Sequence, residues 1–419
     1  MRSLVIEQNL RRMASAKLLA GTSATASLKW GPLSIKDVDP PGLPNSQWVR
    51  VRPLLSGICG SDLATVFAST TRYFEPLVSF PFTPGHEIVG VSLDTGTRVV
   101  VESALTCKAR DLPLCRFCRD GKDELCESVA AGNIKEGIQI GYCKSTGGGW
   151  SQELVAHRSQ LWPVDDSLSD EDAVLVEPLA CALHSVQSTV LHGTENVAVV
   201  GAGTVGLLTL ASLAYLFPKL SISVVAKYSS QRAAASRLGA TQIVAEDELE
   251  RSARRLSHSF RKGGWLSGGY DVVFDCVGSS KSLSSSISSV RPGGQVVAVG
   301  MPSQVDIDLT PLWHREVSLK GSYAYGVEVL PKERFTHLDL TECLSATEDR
   351  DGQVSIRTFD LALCAMKTLR LGWMVSHRYP LENYVDALEK AARAGSHDAI
   401  KVVFDLRKSK SVWKGKDDL

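Results

Sequence analysis

Short apolar runs, among them WVRVRPLL, EIVGVSL and TRVVVES, follow one another to about residue 190 and are broken by Gly, Pro, Ser and Asp. Runs of this kind predict irregular antiparallel β-structure. Beyond Glu195 the pattern alternates between VAVVG, LLTLASLAYLF, SISVVA, QRAAASRLG, DVVFDCVG and QVVAVG. Strand, helix and strand in that order predict parallel strands joined by helical crossovers. After about residue 320 the reading is mixed: a polar connection around TEDRDGQVS, helices over LALCAMKTLRLG and YVDALEKAARAG, and a strand in AIKVVFDL. The closing RKSKSVWKGKDDL, with Lys408, Lys410, Lys414 and Lys416, reads as a frayed and solvated end. No internal repeat recurs, which disfavours a solenoid or propeller.

Val197 to Phe217 carries no charge and is long enough to cross a bilayer. Its glycines at 201, 203 and 206, its β-branched start and Pro218 at its end fit a strand, a tight turn and a buried helix better. The 419 residues suggest two or three domains. With 44% apolar and 22% charged residues the composition is that of an ordinary globular chain, neither disordered nor collagen-like. Lys+Arg and Asp+Glu balance at 46 each, so no long-range field gathers nucleic acid or an anionic membrane. Ten cysteines are too sparse for a disulfide scaffold, and four crowd between 107 and 126, which points to a metal in a reducing, cytoplasmic compartment. The opening MRSLVIEQNLRRM lacks the long apolar region of a signal peptide.

Gly201-Ala202-Gly203-Thr204-Val205-Gly206 is a G-x-G-x-x-G between a predicted strand and a predicted helix. The first glycine allows the tight turn, the second lets a pyrophosphate approach the backbone, and the third lets helix and strand pack closely. Free N–H groups at the helix start then face the phosphates, with Thr204 and Val205 beside them. About 20 residues on, an NAD-type site places a carboxylate on the ribose hydroxyls. Here that position is Ala226, followed by Lys227, Ser229 and Arg232, which would neutralise a 2′-phosphate. The expected cofactor is NADP rather than NAD.

Two groups of metal-ligating residue types stand out. Cys107, Cys115, Cys118 and Cys126, spaced C-x7-C-x2-C-x7-C, can close a tetrahedral all-thiolate shell with no open position, a structural zinc site. Cys59 in GICGSD, His86-Glu87 in TPGHE and Glu177 in VEPLA are dispersed. Together they supply the thiolate, imidazole and carboxylate of a zinc site with an exchangeable position.

In order, GICGSD, TPGHE, the four-cysteine loop, VEPLACALHS and VGAGTVG resemble the medium-chain zinc-dependent alcohol dehydrogenase family over about residues 45–405. Glu-Pro-Leu at 177–179 and the His86-Glu87 pair are most similar to its polyol, sugar and threonine dehydrogenase branch. The resemblance implies an α/β protein with a GroES-like, mostly β catalytic domain over 1–187 and 331–419, and a Rossmann dinucleotide-binding domain inserted over 188–330. It also implies Cys59, His86 and Glu87 as ligands of catalytic zinc, with Glu177 as ligand or holder of its water. Ser61 would relay the alcohol proton, Asp62 would orient His86, and His184 would lie near the cofactor or serve as a structural histidine. Homodimers or homotetramers are usual in the family. Two departures stand out: seven residues separate Cys107 from Cys115 where the family has two, and Leu63, Ala64 and Thr65 follow CGSD where a histidine would suit threonine.

The activity so implied is hydride transfer between a small-molecule alcohol or carbonyl substrate and NAD(P), with neither nucleic acid nor membrane as partner. A non-catalytic NADP-binding sensor and a zinc-free reductase of the same superfamily are the alternatives. Trp150, Trp313 and Tyr323 lie in segments that could reach a substrate cleft, with core packing the default role for each.

Overall fold

The computed structural model describes residues 1–301, 304–331 and 343–408. Lys410, Lys414 and Lys416 of the expected basic end lie outside the described residues. The chain divides into two compact units, one of Met1–Glu177, Phe359–Arg393 and the chain from Lys401, the other of Pro178–Thr358 and Ala394–Ile400.

In the first unit, Trp48–Gly57 alternates buried and half-buried residues, as a strand with one face on a core must. It is central to a sheet in the order Val375–Tyr379, Lys401–Asp405, Trp48–Gly57, Ile88–Ser92, Arg98–Val101 and Leu161–Pro163. Leu154–His157 also pairs with it, and every pairing is antiparallel except that of the first two strands. Trp48, Val51, Ile88, Val99, Val101 and Leu154 pack one core beneath the sheet, each aliphatic side chain contributing about 1.5–3 kcal/mol by burial. The late strand Lys401–Asp405 aligns Val403 with Gly57, which carries Lys401 to the end of the early strand where Cys59 begins.

The antiparallel reading of the first 190 residues misses several helices, among them Gly60–Val66, Val176–Gln187 and two near the start. Between the paired strands Arg2–Ile6 and Leu33–Asp37 run helices Leu10–Ala20 and Ala24–Trp30. Asn9 Oδ1 accepts from Arg12 N at 3.1 Å and Ser23 Oγ accepts from Ala26 N at 3.2 Å, capping each start. Their residues favour helix, yet only Ala16, Ser27 and Leu28 are buried, so no apolar stripe announces them.

The second unit holds a six-stranded parallel sheet in the order Gln242–Val244, Ser221–Val225, Asn196–Val200, Tyr270–Asp275, Val290–Ala298 and Ser318–Gly321. Numbered within this sheet the order is 3-2-1-4-5-6, the doubly wound dinucleotide-binding arrangement. The uncharged stretch that could have spanned a bilayer is the strand Asn196–Val200, a turn and the buried helix Thr204–Leu216. Among the described residues no helix is long and apolar enough to cross a membrane. The polar connection expected around TEDRDGQVS is instead part of a small antiparallel sheet of Val327–Pro331, Gln353–Arg357 and Thr347–Glu348. Its turn is held by Asp349, whose carboxylate accepts from Asp351 N and Gln353 N. Alternation over five residues is too brief to stand out in a polar segment.

Candidate functional site

Cys59 caps the helix Gly60–Val66, directly after the strand Trp48–Gly57, and His86-Glu87 directly precede the strand Ile88–Ser92. Because these strands pair, with Gly57 N donating to Glu87 O at 2.9 Å, the ends that carry the three residues meet. Cys59, His86 and Glu87 each offer a ligand atom, all within 4.8 Å of one another. Glu177, expected with them, stands outside that set but in the same unit. Asp62 is buried; its Oδ2 accepts from Cys59 N at 3.0 Å and its Oδ1 lies 3.4 Å from His86 Nδ1. With Nδ1 facing Asp62, Nε2 is left as the donor. Gly85, at φ +95°, lies where a Cβ would strike the Trp150 ring, so the turn into His86 admits only glycine. Trp150 is a core residue, donating from Nε1 to Gly57 O at 3.1 Å and packing edge-on to Phe404.

Glu87 has a partner the sequence reading lacks. Its carboxylate is ion-paired with Lys401 Nζ, both side chains buried, and Lys401 also donates to Ile58 O at 3.1 Å. A Cβ at Gly57 would fall on Glu87 Oε2, so that glycine makes room for the pair. A buried lysine in AIKVVFDL is the available sequence signal, since such a charge needs a partner. Burial, with Glu87 and Asp62 adding repulsion against the pull of His86 and Lys401, raises Glu177 to about 7. Burial opposes the charged form of His86, but Asp62 and Cys59 more than offset it and hold the imidazole well above its ordinary value. A soft thiolate, an imidazole and a carboxylate in a buried pocket whose field favours positive charge fit a divalent transition metal.

The four cysteines also converge, their sulfurs all within 4.8 Å of one another. Cys107 Sγ and Cys126 Sγ are 3.6 Å apart, close to the edge of about 3.8 Å that 2.3 Å bonds to a tetrahedral zinc require. The longer first gap therefore does not displace Cys107. Backbone N–H groups point at the sulfurs: Cys115 N at 3.3 Å from Cys107 Sγ, Cys118 N at 3.5 Å from Cys115 Sγ, Ser128 N at 3.4 Å from Cys126 Sγ. Such donors stabilise thiolates, so this group too fits a metal.

In the second unit the glycines of the fingerprint differ in their surroundings. Gly201 has φ +96°; Gly203 has nothing within 4 Å of where a Cβ would stand; at Gly206 a Cβ would collide with the Gly201 carbonyl oxygen. Turn, open approach and close packing are thus divided among them as a bound pyrophosphate needs. The first helical hydrogen bond runs from Leu207 N to Gly203 O, so the N–H groups of Thr204, Val205 and Gly206 lie at the helix start. The Thr204 hydroxyl itself donates to Ile400 O at 2.7 Å.

Comparison with known proteins agrees with this geometry. An alcohol dehydrogenase GroES-like domain matches residues 45–166 and a zinc-binding dehydrogenase domain matches residues 204–340. The sorbitol dehydrogenase of Bacillus subtilis (strain 168) is 30% identical over 316 residues, covering 72% of this chain and 80% of that protein. The chain belongs to the medium-chain zinc-binding dehydrogenase family. Another member, the L-idonate 5-dehydrogenase of Vitis vinifera, is 27% identical over 85% of this chain and 88% of its own. Among solved structures, galactitol-1-phosphate dehydrogenase from Escherichia coli shares the fold with a TM-score of 0.66 at 20% identity, covering 97% of this chain and 100% of that one.

Within this dehydrogenase, Ser61 sits half-buried in the helix after Cys59, on the side of the donor group where Tyr142, a residue the sequence reading did not single out, is buried. The Tyr142 hydroxyl lies 3.4 Å from Thr65 Oγ1, and its ring stacks on Phe82 with its centroid 6.0 Å from that of His86. Nothing in the loop sequence GYCKS marks it. At the end of the strand Ser221–Val225, Ala226 is buried, and Lys227, Ser229 and Arg232 are exposed. Arg232 donates to Lys227 O at 2.7 Å, which gathers both cations at the helix start. His184 Nδ1 meets Glu328 Oε1 at 2.7 Å, and Thr358 Oγ1 donates to the same oxygen at 2.8 Å. Trp313 and Tyr323, expected in the core, are 77% and 49% exposed. Trp313 lies on a five-residue helix in which no residue is buried.

Proposed function

We propose that the chain is a zinc-dependent dehydrogenase of polyols or related sugar alcohols that uses NADP in preference to NAD, working as a homodimer or homotetramer. The convergence of Cys59, His86 and Glu87 in one buried group, with Asp62 on His86, carries this reading. The polyol class is supported by the relatives, named as sorbitol, L-idonate and D-arabinitol dehydrogenases. NADP is supported by Ala226 where a carboxylate would face the ribose, and by Lys227 and Arg232 beside it.

Zinc held by Cys59, His86 and Glu87 would supply Lewis acidity toward an alcohol oxygen, and the nicotinamide would supply the hydride acceptor. Asp62 holds the His86 ring by Nδ1 and so fixes the direction of Nε2. Lys401 anchors the Glu87 carboxylate and compensates its charge. Glu177, buried in the same unit beside Glu87 and Asp62, would ligate that zinc or hold its water. Ser61, half-buried two residues after Cys59, would relay the proton of the alcohol hydroxyl. Gly201, Gly203 and Gly206 with the N–H groups of Thr204, Val205 and Gly206 would hold the pyrophosphate.

The test is formation of reduced nicotinamide with NADP and NAD in parallel, across sugars, polyols, threonine and simple alcohols, on zinc-loaded protein. Turnover confined to polyols or sugars and faster with NADP is the expected result. Silence across the panel, with zinc bound at the Cys59 site, would overturn the catalytic reading.

A further inference from the structure

The first gap of the cysteine loop, KARDLPL, contains a residue whose surroundings go beyond filling space. Arg110 is fully buried. Its Nε donates to Leu105 O at 2.9 Å, Nη1 to Ala131 O at 2.8 Å, Ile134 O at 3.4 Å and Lys135 O at 3.2 Å, and Nη2 to Gly137 O at 2.6 Å. These acceptors lie on two segments, one just before Cys107 and the other just after Cys126. The Arg110 backbone joins the same segments: its N–H donates to Thr106 O and Cys107 O, both at 3.1 Å, and its carbonyl accepts from Asn133 N at 3.2 Å. Gly132 (φ +95°) is where a Cβ would collide with that carbonyl. The chain turns back through Asp111 (φ +57°) and Leu112, whose N–H donates to Cys107 O at 3.1 Å.

We infer that Arg110 is the positioning residue of the four-cysteine site: its guanidinium draws the segment before Cys107 onto the segment after Cys126, which sets the first and last sulfurs 3.6 Å apart despite the lengthened gap. A planar fork with five N–H groups can satisfy acceptors on two sides at once, whereas a lysine ammonium, a compact point charge, cannot span them. Four thiolates around a divalent ion also leave surplus negative charge, and the buried guanidinium supplies a compensating charge nearby. The inference rests on the metal reading of this cysteine group but not on the substrate or cofactor proposed above.

The experiment compares zinc release to a chelator, coupled to the appearance of free thiols, in wild type, Arg110→Lys, Arg110→Met, Gly132→Ala and the exposed-site control Lys108→Ala. Cobalt-substituted protein supplies the thiolate charge-transfer band, and thermal unfolding runs in parallel. Arg110→Lys is expected to release the loop metal about 10- to 100-fold faster with an altered cobalt band, Gly132→Ala to follow it, and Lys108→Ala to match wild type. A folded Arg110→Lys with wild-type release and an unchanged band overturns the inference, even if its melting temperature falls. Should Arg110→Met fail to fold, Arg110→Lys and Gly132→Ala decide by the same criteria. Wild type whose four loop thiols are free of metal removes both the site and the inference; silence in the substrate assay leaves them intact.

Discussion

Cys107, Cys115, Cys118 and Cys126 come from one short loop, whereas Cys59, His86 and Glu87 come from the ends of two strands and owe their settings to Asp62 and to Lys401, more than 300 residues further on. In the loop the sulfurs receive backbone N–H groups. At the strand ends the donors face ionisable side chains directly, whereas the cation near the loop, Arg110, gives its N–H groups to backbone carbonyls. Backbone donors come with the local turn, stabilise the anion and leave little to adjust. Charged side chains shift the protonation of whatever they touch, which suits a site where protons move. The difference teaches that ligand type alone does not separate a holding site from a reacting one; what surrounds the ligands does.

The contrast breaks first at the dispersed site. Cys59→Ala or His86→Ala should lower turnover about a thousandfold or more, roughly 4 kcal/mol of barrier, and remove the zinc of that site while thiol titration finds the loop still occupied. Loss of both metals together would mean that the two sites are not independent. Lys401→Met leaves the Glu87 carboxylate buried without its cation and should cost about 3–5 kcal/mol in denaturant unfolding of the metal-free protein. Glu87→Gln in the same chain should recover much of that loss.

The dinucleotide fingerprint is local in the same sense as the cysteine loop and should fail locally. Gly206→Ala puts a Cβ onto the Gly201 carbonyl and should cost about 1–3 kcal/mol of cofactor affinity by titration, with the metal content unchanged. Ala226→Asp should turn the proposed NADP preference toward NAD by about tenfold or more in kcat/KM, since a carboxylate repels a 2′-phosphate and accepts from ribose hydroxyls.

The smallest effect calibrates the backbone donors themselves, free of any metal. Glu195 accepts from the N–H groups of His192 at 2.7 Å, Gly193 at 2.9 Å and Thr194 at 3.1 Å. Burial works against its charge, but these donors prevail and hold the carboxyl below its ordinary value of 4.5. A depressed carboxylate stabilises the fold above its unfolded value and loses that contribution as the pH falls through the lower folded one. Glu195→Gln should therefore cost about 1 kcal/mol at pH 7, and the gap from wild type should close below pH 4.5.

Much of this was legible before the structure. The strand-helix alternation beyond Glu195 became the parallel sheet, and VAVVGAGTVG became strand, turn and helix in place. The cysteine spacing and the residue types of the dispersed group pointed to the residues that the structure gathers, Glu177 standing outside the set, because each residue's chemistry is written in its identity. The helices after Asn9 and Ser23 went unread because they bury so little. Tyr142 went unread because a tyrosine in an irregular loop carries no periodic signal.

The sequence by itself determined the local matters: where strands and helices run, where glycines permit turns, and which side chains can bind a metal or a phosphate. These follow from dihedral preferences and from the chemistry of single residues within a few positions of one another. Only the tertiary structure decided that Lys401 meets Glu87, that Asp62 takes His86 Nδ1, and that Arg110 closes the loop so that Cys107 reaches Cys126. Each of those contacts depends on sheet register or loop closure across tens to hundreds of residues. Burial of apolar faces sets that register, and no short stretch of chain encodes it.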